Sequence, residues 1–338
     1  MKKSKIFIVA IIAVGVSFVA WKSGKESIDP KTPVSELLTE YGLPAPLHAI
    51  DKLDTALARH GYEIVTKGQT LDPNGKMTSI QSKFFKCIHC HNIVPEDPDL
   101  SKSDPNARLE YVSKNDIGFL QGTTLYGIVN RTSWYNEDYE KKYGSLVISS
   151  RDTLENAIHL CATVCSQGRD LSEWEMEAVM NYFWSIELKA GDLNLSDSEV
   201  SQLKGNTLSN DKKIALVQSK FFNASPATFL DELPKKDREY GKNGDPIKGE
   251  KIFEQGCMWC HSPYENVTNL KLDKTQLTFG MFERNLKNSD DLSIYHITRK
   301  GTKPIAGYKP YMPHYTAERL SDQQIEDLVA YIKKGNKE

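Results

Sequence analysis

The sequence has almost no net charge, few cysteines and only one long apolar run. Its 43 Lys and Arg against 45 Asp and Glu leave a formal net charge of −2, which gives no electrostatic case for nucleic acid as a partner. That balance leaves room for local patches that steer a protein partner. The single apolar run, Ile6 to Trp21, has sixteen residues, just short of the about 17–25 that span a bilayer. No cysteine follows it closely, which argues against a lipoprotein. Lys2, Lys3 and Lys5 precede the run, and Lys22 and Lys25 close it. Two readings are open. A signal peptide would be cut near Gly15-Val16-Ser17, whereas a retained anchor would use the flanking lysines to reach the headgroups. Either one puts the remaining chain outside the cytoplasm, in the periplasm or on the outer face of the cytoplasmic membrane.

What remains is a chain of globular composition, 39% apolar and 26% charged over 338 residues, long enough for two or three domains. Only six cysteines are present, and four fall in two short motifs, Cys87-Ile-His-Cys90-His91 and Cys257-Met-Trp-Cys260-His261. Two cysteines three apart near a helix start reach both vinyl groups of one haem, and the histidine that follows lies under the iron as its proximal ligand. Zinc knuckles sit about 15–20 residues apart, unlike these pairs, and a redox dithiol would not need a histidine after both copies. The motifs therefore predict two covalently bound haem c groups, with His91 and His261 on the irons. His89 falls at a variable position of its motif and has no expected ligand role.

The pattern around the motifs repeats. Leu171-Ser172-Glu173-Trp174-Glu175 matches Leu320-Ser321-Asp322-Gln323-Gln324, and each is a capping box that starts a helix. Tyr182 and Tyr331 lie ten residues past the two serines. Between them Met176, Val179, Met180 and Phe183 align with Ile325, Leu328, Val329 and Ile332, spaced as one face of an amphipathic helix. Met176 and Met180 thus read as core residues. The predicted fold is mainly α. It has a signal peptide or anchor at 1–24, a tether at 25–49, a first haem unit at 50–190, a linker at 191–244 and a second haem unit at 245–338. In each haem unit the CxxCH comes first and a helix closes over it. This organisation resembles class I cytochrome c, closely at 245–338 and more loosely at 50–190, so two cytochrome c domains in tandem are expected.

The resemblance also suggests the distal ligands. Class I cytochromes place a methionine on the loop ahead of the last helix, and Met312, nine residues before Ser321, takes that place for haem 2. His314 and His296 are nearby alternatives. The same count back from Ser172 reaches Thr163, bracketed by the remaining cysteines in His159-Leu160-Cys161-Ala162-Thr163-Val164-Cys165. A thiolate there would hold ferric iron 1 and lower its potential. Ligation by one cysteine, a disulfide or buried thiol pair, and ligation by His159 all stay open.

A second resemblance favours Cys161. The residues Thr153-Leu154-Glu155, Ile158, Cys161, Gly168-Arg169, Glu175-Met176 and Gly61-Tyr62-Glu63 resemble the thiosulfate dehydrogenase family and related sulfur-oxidising dihaem cytochromes. In that family the matching cysteine is the distal ligand of the active-site haem. The chain departs from it at Ala157, where the family has an arginine for an anionic substrate, and in its second cysteine, Cys165. Arg131, Arg151 and Arg169 could bind an anion, but each also reads as a surface residue or a haem-propionate partner. Trp134, Tyr135 and Tyr139 read as packing at a haem edge.

Three functions follow as expectations. The first is electron transfer between a redox partner, such as another cytochrome, an oxidase or a quinol-linked enzyme, and a downstream acceptor. The second is an oxidoreductase that joins two thiosulfates into tetrathionate or the reverse, with haem 1 and Cys161 as its active site and a sulfur oxyanion as substrate. The third is a dihaem peroxidase.

Overall fold

The computed structural model describes residues 27–135, 137–264, 267–288, 291–302 and 311–337. The segment read as a signal peptide or anchor lies outside them. Among the described residues the architecture is helical, and no helix is long and apolar enough to cross a membrane. The helices are α1 (Val34–Glu40), α2 (Thr55–Lys67), α3 (Pro105–Asn115), α4 (Glu137–Tyr143), α5 (Leu154–Leu160), α6 (Glu173–Ser185), α7 (Asp197–Lys204), α8 (Asn210–Gln218), α9 (Pro246–Ile252), α10 (Met258–His261), α11 (Gln276–Asn288), α12 (Ile294–Lys300) and α13 (Asp322–Gly335).

Local chemistry sets the ends of these helices. The Asp54 carboxylate accepts from the N–H groups of Ala56 and Leu57 to start α2, and Gly68 ends it at a positive φ of 79°. Ser172 with Glu175 and Ser321 with Gln324 form the two expected capping boxes, so α6 and α13 begin where the sequence places them.

Two helix pairs have the same crossing. α2 lies against α6, and α9 against α13. At each crossing a glycine leaves no room for a side chain. A Cβ on Gly61 would stand 2.0 Å from the Ala178 carbonyl oxygen and 2.8 Å from the Tyr182 Cβ. One on Gly249 would stand 2.0 Å from the Asp327 carbonyl oxygen and 2.8 Å from the Tyr331 Cβ. Ala178 and Asp327, like Tyr182 and Tyr331, are partners in the sequence repeat, so the repeat extends to backbone contact. Met176 and Met180 are buried in the core of the first pair, as their alignment with Ile325 and Val329 requires.

The stretches read as tether and linker come together in a third apolar cluster. Val34, Leu37 and Leu38 of α1 pack there with Leu193, Leu203, Val217 and Phe221. Seven residues are too short for α1 to show a clear helical period, and the apolar residues on both stretches are sparse, so only packing reveals this core. The two halves are also joined. Leu109 and Val112 of α3 and Phe119 sit in the same core as Phe253, Leu328 and Ile332.

Candidate haem sites

In both motifs the backbone orients the proximal histidine. His91 Nδ1 lies 2.6 Å from the Thr123 carbonyl oxygen, and His261 Nδ1 lies 2.8 Å from that of Leu270. A carbonyl only accepts, so each Nδ1 carries the proton and each Nε2 keeps its lone pair for a metal. Burial lowers the pKa of both rings, which keeps them neutral as ligation requires. His89 has the opposite arrangement. Its Nδ1 accepts from the Lys86 N–H at 3.1 Å. Gly122 presses on the first site. A Cβ there would come within 2.5 Å of His91 Cε1, while its N–H bonds the Cys90 carbonyl at 2.9 Å.

The motifs sit on different local structure. The first is a 3-10 turn, Cys87–His89, separated from α2 by residues 68–86. The second follows α9 directly through a π turn, Phe253–Cys257, that leads into α10. Burial pushes the Cys87 and Cys257 thiols up to about 11 and 12, and Cys90 higher still. The motifs also meet. Cys260 Sγ lies 3.8 Å from the His89 carbonyl oxygen, and Cys260 is close enough to Cys90 to disfavour its ionisation.

The remaining cysteines lie near the first motif. Cys161–Cys165 is a π turn closed by the Ser166 N–H on the Cys161 carbonyl at 2.8 Å, and such turns recur at functional sites. The wider turn keeps the two thiols close to each other, with Cys87 and Cys90 nearby. The neighbouring Cys165 and burial raise the pKa of Cys161, and Cys161 lowers that of Cys165. The Tyr311 ring meets Phe85 edge-on, with centroids 5.5 Å apart. His159, the third candidate on this stretch, pairs through Nδ1 with the Asp170 carboxylate.

At the second site Met312 is pinned by its main chain. Its N–H donates to Thr302 Oγ1 at 2.7 Å, and its carbonyl accepts from the Thr302 N–H at 2.9 Å. Gly301, at a φ of 62°, lets the strands approach, since a Cβ there would lie 2.3 Å from the Met312 carbonyl oxygen. The histidine alternatives have other partners. His296 Nδ1 pairs with Glu232 at 3.0 Å. His314 packs on Phe229, with Tyr143 Oη and Lys142 Nζ 3.4 and 3.3 Å from its Nε2.

The candidate anion-binding arginines separate clearly. Arg151 pairs with Glu140 and Asp152 at the surface, and Arg169 pairs with Glu175 and bonds the Ser79 carbonyl. Arg131 makes no ion pair among the described residues. Its guanidinium donates to Thr123 Oγ1 at 2.8 Å and to the Thr124 carbonyl at 3.1 Å, beside the residue that orients His91. A half-buried guanidinium with only neutral acceptors fits a haem propionate. Ala157, where the sulfur-oxidising cytochromes have an arginine, is buried in α5. Of the aromatics, Trp134 packs edge-on against His48, and Tyr135 and Tyr139 also meet edge-on, near the Cys161–Cys165 turn.

The protons on the two Nδ1 atoms, the cysteine pair of each motif and Arg131, which has no ion pair among the described residues, all fit haem c. Residues 247–336 match the family model for Cytochrome c. The C-terminal segment is therefore a cytochrome c domain, which implies a covalent haem and electron transfer, and both CxxCH motifs fit haem attachment. Neither the curated proteins nor the solved structures include a match to the chain.

Proposed function

We propose that the chain is a dihaem cytochrome c of the periplasm, built from two cytochrome c domains in tandem, that passes electrons from a redox protein to a downstream acceptor. The contact between the motifs, Cys260 Sγ to the His89 carbonyl, carries this reading, because it makes the two attachment points neighbours. The haems supply reversible one-electron exchange at iron. The chain supplies the rest. Cys87 and Cys90 anchor the first haem, and Cys257 and Cys260 the second. His91 and His261 hold the irons, with their tautomers fixed by Thr123 and Leu270. Met312 completes the second site. A sulfur of the Cys161–Cys165 pair, Cys161 by the sequence resemblance, completes the first.

The pair of thiols beside the first motif supports a second reading, in which that site oxidises thiosulfate. Haem quantitation after denaturation tests the first reading. Two covalent haems per chain are expected, and one after Cys87→Ala with Cys90→Ala. A single haem in the unmodified chain would reject it. Reduction of the ferric protein by thiosulfate alone, lost in Cys161→Ser, would establish the second.

A further inference from the structure

The segment that orients His91 is held from the other half of the chain, and neither reading above uses this. Residues 117–124 form no helix, yet Phe119, Leu120 and Thr124 are buried. Buried backbone needs partners for its polar groups, and here they come from two sides. The Phe119 N–H donates at 2.9 Å to the carbonyl of Gln255, two residues before Cys257. The Phe119 carbonyl accepts from Tyr315 Oη at 3.0 Å, and the Leu120 carbonyl accepts from Arg319 Nε and Nη2 at 2.9 and 2.7 Å. Gly256 makes room for the tyrosine, since a Cβ there would lie 3.2 Å from Tyr315 Oη and 3.4 Å from the Phe119 carbonyl oxygen. The next residues turn to the first motif. There the Gly122 N–H donates to the Cys90 carbonyl at 2.9 Å, and the Thr123 carbonyl accepts from His91 Nδ1 at 2.6 Å. Three residues span at most about 11 Å, so the anchor at Leu120 lies close to the acceptor at Thr123.

We infer that residues 119–123 are a strap through which the second haem unit sets the proximal histidine of the first, with Tyr315 as a positioning residue. This rests on the dihaem reading. The Tyr315 ring stacks on Phe119 with centroids 6.3 Å apart, and its N–H is fixed on the Thr298 carbonyl at 2.7 Å. An acceptor held firmly on Nδ1–H makes the imidazole a stronger donor to iron, which favours the ferric state. Slack in the strap loosens that acceptor. Tyr315 thus acts on His91 through Phe119 and Thr123.

The test is a redox titration of the holoprotein, with hydrogen exchange at the Gly122 amide, for the wild type, Tyr315→Phe and Met312→Ala. Tyr315→Phe keeps the ring on Phe119 and removes only the hydroxyl. It should raise the reduction potential of the first haem and speed exchange at Gly122, with two haems still attached. Met312→Ala leaves the Tyr315 bond in place and should leave both readings near the wild type. If either reading stays unmoved by Tyr315→Phe in a two-haem protein, the inference is overturned and the dihaem reading stands. An equal first-haem shift in Met312→Ala also overturns it, because that haem would then sense its neighbour and not the strap. Should Tyr315→Phe load no haem, Arg319→Lys reads the same strap. It keeps a cation beside Glu96 and loses the paired bonds to the Leu120 carbonyl. The same rise in potential supports the strap, and its absence overturns it. A wild-type chain with one haem rejects the dihaem reading and the inference together.

Discussion

Glu96 and Arg319, 223 residues apart in sequence, meet in a buried ion pair with Oε1 2.6 Å from Nη1. The pair is satisfied on every side. Asn92 and the Thr124 N–H donate to Glu96, and Arg319 also donates to the Leu120 carbonyl at 2.7 and 2.9 Å. It lies between the segment after the first motif and the loop after Met312. Removing one partner strands the other charge in low dielectric, so Arg319→Met should cost about 3–5 kcal/mol. Thermal unfolding of the holoprotein checks this, and a loss under about 1 kcal/mol would show the pair to be dispensable.

The same pair sets an acid limit. Burial pushes the Glu96 carboxyl up, but the charge and hydrogen bonds of Arg319, with Arg108 and Asn92, outweigh it and hold the group at about 2 against an ordinary 4.5. A depressed folded-state pKa gives stability that is complete above the ordinary value and is lost as pH falls toward the folded one. Stability should therefore decline between pH 4.5 and about 2, and Glu96→Gln should flatten that part of the curve. Urea unfolding at a series of pH values measures it. An unchanged slope in the variant would assign the acid loss to other carboxylates.

Gly122→Ala should disturb the first haem and spare the second. The added methyl would meet the His91 ring at 2.5 Å and the Cys90 carbonyl at 2.7 Å, so the ring must tilt off the Thr123 carbonyl. Overpacking of this kind costs about 1–3 kcal/mol. Part of the first haem should turn high-spin in visible and magnetic circular dichroism spectra, with haem stoichiometry unchanged. Two unaltered low-spin haems would mean that the loop yields instead of the histidine.

Much of this was legible in the sequence. The capping boxes, the repeat and the CxxCH motifs give the closing helices and attachment points because each depends on residue type at fixed spacing. The proximal orientation was not, since the acceptors are the Thr123 and Leu270 carbonyls and a backbone oxygen leaves no mark on composition. The glycine crossings carried a faint signal. Gly61 and Gly249 precede motifs at different distances, which hides their equivalence until Ala178 and Asp327 are seen against them. Tyr311 beside Phe85 and Glu96 beside Arg319 are long-range pairings that no local pattern encodes.

Met312→Ala separates the two sites chemically. A thioether stabilises ferrous iron, so its loss should lower the potential of the second haem and abolish the weak long-wavelength sulfur-to-iron band of the ferric protein. The Thr302 contacts involve the Met312 main chain and Thr302 itself, so the loop keeps its anchor when the side chain is cut back. A fall in potential can then be read as ligand loss and not as loop collapse. His314 is poorly placed to substitute, because its ring is held against Phe229 and its Nε2 faces Tyr143 Oη and Lys142 Nζ. Spectroelectrochemistry decides the matter. A second haem with its band and potential intact after Met312→Ala would show that another group binds the iron, and the loop's two hydrogen bonds to Thr302 would then serve packing alone.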